Sequence, residues 1–238
     1  MLLQGENLTK SYGGLMAVHD AAFHVNEGEI LGLIGPNGAG KTTLFNLISG
    51  AVEPTSGTIT FKNENITGKK PHQICKKGIG RTFQSSKLFN GMTVFDNVFM
   101  AIQFGQSTGM SDKDARARVL ELLDYVNLIH EQHTIIRDLS IGVQKRVEIA
   151  RSLATKPDLL LLDEVMAGLN PSEVESSMEL ISKIRDQGIT VFMIEHVMKA
   201  IMSVCDRIVV FHNGTNLVEG TPAEVSSNPT VIKVYLGE

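Results

Sequence analysis

Residues Gly35–Thr42 read GPNGAGKT and meet the spacing G-x-x-x-x-G-K-[ST] through Gly35, Gly40, Lys41 and Thr42. Glycines so placed let successive backbone N–H groups turn inward around phosphate oxygens. A helix opening near Lys41 adds its positive dipole end. Lys41 is then expected to reach the β- and γ-phosphates of a nucleotide, and the Thr42 hydroxyl to ligate Mg²⁺. Two further pairs of chemically competent residues, Asp163-Glu164 and Glu195-His196, each follow an apolar run directly. Asp163 suits the metal's water shell, and Glu164 suits a general base that polarises the attacking water. A helix dipole contributes only about 0.3–1 kcal/mol per interaction, whereas one well-placed transition-state donor is worth about 3–4 kcal/mol. The glycine loop alone therefore accounts for binding, and turnover needs several convergent groups.

Those groups converge only if particular elements position them. Ile30–Ile34, Leu159–Leu162 and Val191–Ile194 are apolar throughout, as strands buried on both faces of a parallel sheet are. Ligands gather at the carboxyl ends of such strands, so three chemically equipped strand ends predict one shared site. Residues 2–10, 17–25 and 58–66 carry β-formers between turn clusters such as Asn26-Glu27-Gly28 and Pro54–Gly57, and they predict an antiparallel layer beside that core. Asn170-Pro171-Ser172-Glu173 is a helix start, with Val174, Met178 and Ile181 on one face and Gly188 at the close. Thr221-Pro222-Ala223-Glu224 repeats the signal, and Ser111–Asp114 is a capping box ahead of a Val119, Leu122, Leu123, Val126 stripe. The stretch 90–153 reads mainly helical and is inserted between the glycine loop and the Leu159 strand.

Composition narrows the class. The chain has 238 residues, 42% hydrophobic and 20% charged, enough for one large α/β unit. A formal net charge of −4 argues against a nucleic-acid partner, and the basic pairs Lys69-Lys70 and Lys76-Lys77 read as solvated surface. Cys75 and Cys205 are too few for a disulfide framework, which fits a reducing cytoplasm. The seven histidines lack paired zinc spacing. The N-terminus MLLQGENLTK shows no signal-peptide pattern, and no apolar run approaches the roughly 20 residues of a membrane helix. Work at a membrane would require a partner.

With these residues in hand, the chain resembles the ATP-binding cassette family over essentially its whole length. Leu139–Gln144, LSIGVQ, looks like the family's signature sequence; Gln84 in RTFQ, Tyr12 in KSYGG, Ala167–Asn170 and His196 in MIEH match its remaining marks in order. The resemblance implies an α/β fold of the P-loop NTPase type: a mainly parallel RecA-like core, an antiparallel β layer and an inserted helical subdomain. One domain, 1–238, would comprise a nucleotide-binding core (1–89 and 154–238) and a helical signature subdomain (90–153). It implies ATP and Mg²⁺ as ligands, held by Tyr12, Val18, Gly35, Pro36, Asn37, Gly38, Ala39, Gly40, Lys41, Thr42 and Thr43. Ser140, Gly142 and Gln144 of a second subunit would complete the site. Thr42, Gln84 and Asp163 would serve the metal, and Glu164, His196 and Gln84 the chemistry. Ser140 and Gly142 precede the helical stretch KRVEIARSLA, so a hydroxyl and free N–H groups stand at a helix N-terminus, an anion site.

Within the family, KLFNGMTVFDNV, LSIGVQKRVEIAR, DEVMAGLNPSE and the terminal NPTVIKVYLGE look most like ATPase subunits of bacterial branched-chain amino-acid uptake systems. That likeness implies a cytoplasmic protein, peripheral on the inner face of the plasma membrane. It would dock on transmembrane permease subunits, pair with a second cassette as homo- or heterodimer, and serve an extracytoplasmic solute-binding protein indirectly. Lipopolysaccharide-transport ATPases share the VYLGE-like tail and give an exporter alternative; a soluble cassette in translation or DNA repair is a third reading. The chain departs from the family pattern at Val143, Val165 (usually proline) and Asn170 (often Asp), and none of the three removes a named chemical group.

Overall fold

The computed structural model describes residues 1–84, 87–104 and 109–236. Gly237 and Glu238 of the terminal stretch lie outside the described residues, as do Ser85 and Ser86 of the nucleotide-binding core. Two sheets form the frame. A six-stranded sheet is ordered β10-β9-β3-β8-β7-β6, from Thr215–Gly220, Arg207–His212, Ile30–Ile34, Thr190–Ile194, Leu159–Asp163 and Ile79–Arg81. All its neighbours run parallel except β10 against β9. A four-stranded antiparallel sheet is ordered β2-β1-β4-β5, from Leu15–Val25, Leu3–Tyr12, Ser56–Phe61 and Glu64–Asn65.

The period of two along each central strand divides the core into two. Ile30 and Ile34 of β3, Leu160 and Leu162 of β7, and Val191 and Met193 of β8 face one cluster. That cluster also takes in α3 (Val94–Phe104), α4 (Asp112–Tyr125) and α5 (Ile141–Leu153). Leu31, Leu33, Leu159, Leu161, Phe192 and Ile194 face the other, against α1 (Lys41–Ile48) and the antiparallel sheet. Both faces of the sheet are thus covered, and this is why its strands read as unbroken apolar runs.

Two expectations change. Residues 58–66 do not form one strand: β4 ends at Phe61, and Lys62 and Asn63 both take positive φ (49° and 62°) before β5 begins. Two successive left-handed residues make the tight hairpin turn that suits antiparallel twist. The hairpin β9–β10, which turns at Asn213-Gly214 (φ 47° and 79°), was not anticipated and closes the sheet with an antiparallel edge. The helix α6 (Pro171–Asp186) begins as expected, with the Asn170 side chain accepting from the Ser172 and Glu173 N–H groups. Two short helices, α2 (Pro71–Lys76) and α7 (Met198–Val204), lie before β6 and after β8, and Ser111 and Thr221 cap α4 and α8 (Pro222–Ser227) as Asn170 caps α6.

Candidate active site

The glycine loop spans the gap between β3 and α1. Gly40, the residue that caps α1, has φ +101°, and a Cβ there would collide with the Ala17 carbonyl of β2. Only glycine satisfies both demands. Asn37 and Gly38 are exposed at the crown, Pro36 is half-buried, and Gly35 and Ala39 are buried beneath. Thr42 and Thr43 follow half-buried in the first turn of α1. Lys41 is buried, its Nζ donating to the carbonyls of Gly35 (2.7 Å) and Pro36 (3.0 Å). Burial lowers its pKa, while Glu164 and Asp163 draw it back up. The ammonium is therefore held inside the loop, with carboxylates facing it.

Asp163 closes β7 with its side chain almost wholly out of solvent. Its Oδ2 accepts from Arg81 Nη2 at 2.9 Å, and its own N–H donates to Thr82 Oγ1 at 3.1 Å. Burial pushes the Asp163 carboxyl up and the guanidinium pulls it back. Its other oxygen, Oδ1, is buried with no hydrogen-bond partner among the described residues. An orphaned carboxylate oxygen is costly unless something binds it. With the Thr42 hydroxyl and the Gln84 amide it offers hard oxygen donors of the kind Mg²⁺ takes.

Glu164 lies one residue on, in a left-handed conformation (φ +53°) that is rare outside glycine and costs on the order of 1 kcal/mol or more. Its N–H donates to the Ile194 carbonyl at 2.9 Å, tying the turn to β8. Its carboxylate is gripped from both sides: Gln84 Nε2 donates to Oε2 at 2.9 Å, and His196 Nε2 lies 2.8 Å from Oε1. Side chains up to 112 positions apart in the chain, from beyond the ends of β6, β7 and β8, thereby meet at one carboxylate. Such a carboxylate is oriented to accept a proton from a water beside it.

The signature residues are arranged less simply. Ser140 is the N-cap of α5, its Oγ accepting from the Val143 N–H at 3.4 Å, and it is exposed beside Ile141. Gly142 does not precede the helix; it lies within the first turn, buried, where a Cβ would press on the Glu173 carboxylate. Gln144 does not present its amide outward. Its Nε2 donates to the carbonyls of Ile136 (3.2 Å) and Leu139 (3.0 Å), bracing the turn before α5. Val18, expected to touch the nucleotide, is instead fully buried in β2, in the core cluster that also takes in Ala39 of the loop. Tyr12 stands exposed at the end of β1, with Lys10 Nζ 5.1 Å from its ring centroid.

Several functional neighbours were given no role by sequence reasoning. Arg81 is buried, its Nη1 donating to Asn46 Oδ1 (2.8 Å) and Ser49 Oγ (2.7 Å) as well as holding Asp163. Lys145 of α5 donates to the Gln84 carbonyl at 3.3 Å. Glu195, at the end of β8, is buried. The Tyr235 hydroxyl in the last helix, α9 (Pro229–Leu236), faces the Gly35 backbone. A charged residue directly after an apolar strand was the available signal for Glu195; β6 is too short to read, and contacts across the fold left no signal for Arg81, Lys145 or Tyr235.

The comparisons agree with this architecture. The family model described as ABC transporter matches residues 18–167, and one described as branched-chain amino acid ATP-binding cassette transporter matches residues 215–238. The high-affinity branched-chain amino acid transport ATP-binding protein LivG of Salmonella typhimurium is 41% identical over 250 residues, covering 100% of this chain and 98% of that protein. BraF of Pseudomonas aeruginosa, with the same description, is 41% identical at the same coverage. The lipopolysaccharide export system ATP-binding protein LptB of Escherichia coli is 36% identical, over 99% of this chain and 97% of that one. A solved ATP-binding cassette of an ABC transporter in its ADP conformation superposes with TM-score 0.89 at 31% identity, over 100% of this chain and 99% of that one. A glycine loop that closes over a buried lysine, a carboxylate gripped at three strand ends and full-length likeness to these proteins converge: the chain belongs to the ATP-binding cassette family, as one of the ATP-hydrolysing subunits of ABC transporters.

Proposed function

We propose that this chain powers uptake of branched-chain amino acids by hydrolysing Mg²⁺-bound ATP at a site shared by two cassettes. The observation that carries the chemistry is the Glu164 carboxylate held between Gln84 Nε2 and His196 Nε2. Glu164 takes a proton from water as the water oxygen bonds to the γ-phosphorus. The bond to the bridging oxygen breaks, and ADP leaves with that electron pair. Lys41 and backbone N–H groups of the glycine loop would offset the charge that develops on the phosphates. Thr42, Gln84 and Asp163 would hold Mg²⁺, which would supply positive charge against the phosphates. His196 would orient Glu164 through their 2.8 Å contact and meet the γ-phosphate. Ser140 and the first-turn N–H groups of α5, carried on the helical stretch 90–153, would close over the ATP of the facing subunit.

The substrate class rests on the 41% relatives and on the match of residues 215–238 to a branched-chain amino-acid transporter segment. Among the described residues no helix is long and apolar enough to cross a membrane, so transport needs permease subunits, served in turn by a solute-binding protein outside the membrane. A cavity of about 340 Å³ lined by Ile74, Phe83, Phe89, Met100 and Ala101 opens at the strand that leads to Gln84, and it suits an apolar permease segment. In this reading the cassette sits on the cytoplasmic face of the membrane.

Glu164→Gln should leave ATP affinity within about twofold and lower turnover by about 10²-fold or more, measured by phosphate release. Hydrolysis at the normal rate would show the base to be another group. Purification from membranes should bring down a permease of the amino-acid uptake type; an exporter-type partner would move the assignment toward lipopolysaccharide transport.

A further inference from the structure

Glu195 directly follows β8, whose five residues are all buried, and it is itself only 2% exposed. A carboxylate in such a place is costly unless it is hydrogen-bonded, so its retained contacts indicate what it does there. Its Oε1 accepts the Met166 N–H at 2.8 Å, and the His196 backbone N–H also faces it. Met166 lies two residues beyond Glu164, in the same turn; His196 is the residue next to Glu195. The turn is thus pinned to the end of β8 twice: through Glu164 N–H on the Ile194 carbonyl, and through Met166 N–H on the Glu195 side chain. Between those pins stands Val165, which lacks a proline ring to stiffen the turn.

We infer that Glu195 is a positioning residue for hydrolysis, its side-chain oxygen setting the spacing between the Glu164 turn and the His196 loop. The inference rests on the reading of Glu164 as base. A displacement of about 1 Å at a reacting group can cost about 10²-fold in rate, so a buried brace suffices to matter. The charged groups around Glu195 are Glu164 on the β7 turn and Lys145 on α5, with His196 beside it and Cys205 behind. Burial first, then Glu164, pushes the Glu195 carboxyl up to about 7, while the Met166 and His196 N–H groups and Lys145 act the other way. An uncharged acceptor is therefore compatible with the site.

The test compares Glu195→Leu, which removes the acceptor, with Glu195→Gln, which keeps one. In the intact chain, Glu195→Leu should lower kcat by about tenfold or more while ATP affinity changes less than about twofold, and Glu195→Gln should retain most of the wild-type kcat. Unchanged kcat in the leucine variant would overturn the inference. So would equal loss in both variants, since charge rather than the acceptor would then be what matters. If the leucine variant does not fold, Glu195→Ala read by the same kcat and affinity measurements replaces it. Glu164→Gln run alongside separates the two levels: normal turnover there refutes the base assignment, whereas its inactivity beside a fully active Glu195→Leu refutes only the brace.

Discussion

A buried acid at the end of β8 also has a thermodynamic signature at the scale of one residue. Folding raises the Glu195 pKa from its ordinary 4.5 to about 7, chiefly by burial. The folded chain consequently holds this proton more tightly than the unfolded one. The stability it contributes is complete below pH 4.5 and is lost as pH rises through about 7. A shift of that size corresponds to about 3 kcal/mol across the window. Glu195→Gln should therefore gain on the wild type as pH is raised from 5 to 8, in urea-unfolding free energies measured at each pH. Parallel curves would mean that the carboxylate stays ionised in the fold. Burial raises the Asp163 carboxyl too, with Arg81 drawing it only part of the way back, and one of its oxygens has no hydrogen-bond partner among the described residues.

Among elements, Arg81 is the joint where β6, β7 and α1 meet. Its guanidinium binds Asp163 on β7 and both Asn46 on α1 and Ser49 just past it, and it stacks on Phe83 at 5.1 Å. Breaking a buried ion pair on one side leaves an uncompensated charge, at about 3–5 kcal/mol. Arg81→Met should destabilise the chain by about that amount in chemical unfolding, and adding Asp163→Asn should recover part of it. Additive losses would show that the two side chains are not coupled. The sequence made β3, β7 and β8 legible because each is apolar on both faces and ends in a charged or glycine residue. It concealed β6, whose three residues, Ile79–Arg81, are too few to show a period. The β9–β10 hairpin was legible in principle from Asn213-Gly214, a pair suited to two left-handed turn residues. At the site, the glycine loop and the Asp163-Glu164 pair could be read from strand context. The inward turn of Gln144 could not, because its partners are backbone carbonyls of the preceding loop.

At the scale of the whole molecule, the signature turn is presented to solvent. Ser140 is exposed at the head of α5, and Ile141 beside it is 60% exposed, unusual for so large an aliphatic side chain. If the signature turn meets the ATP of a facing cassette, Ile141 is buried on association. Burying such a side chain fully is worth about 1.5–3 kcal/mol, which corresponds to about 10- to 100-fold in the dimer Kd. Placing Ile141→Lys in a Glu164→Gln background should therefore weaken ATP-driven dimerisation by at least about tenfold. ATP binding to each isolated subunit should be unchanged, because the glycine loop and Tyr12 lie on other elements. Analytical ultracentrifugation with ATP gives the first quantity and equilibrium dialysis the second. An undiminished dimer would place the subunit contact on a surface other than α5, and Ser140 would then have no role in the site of its neighbour.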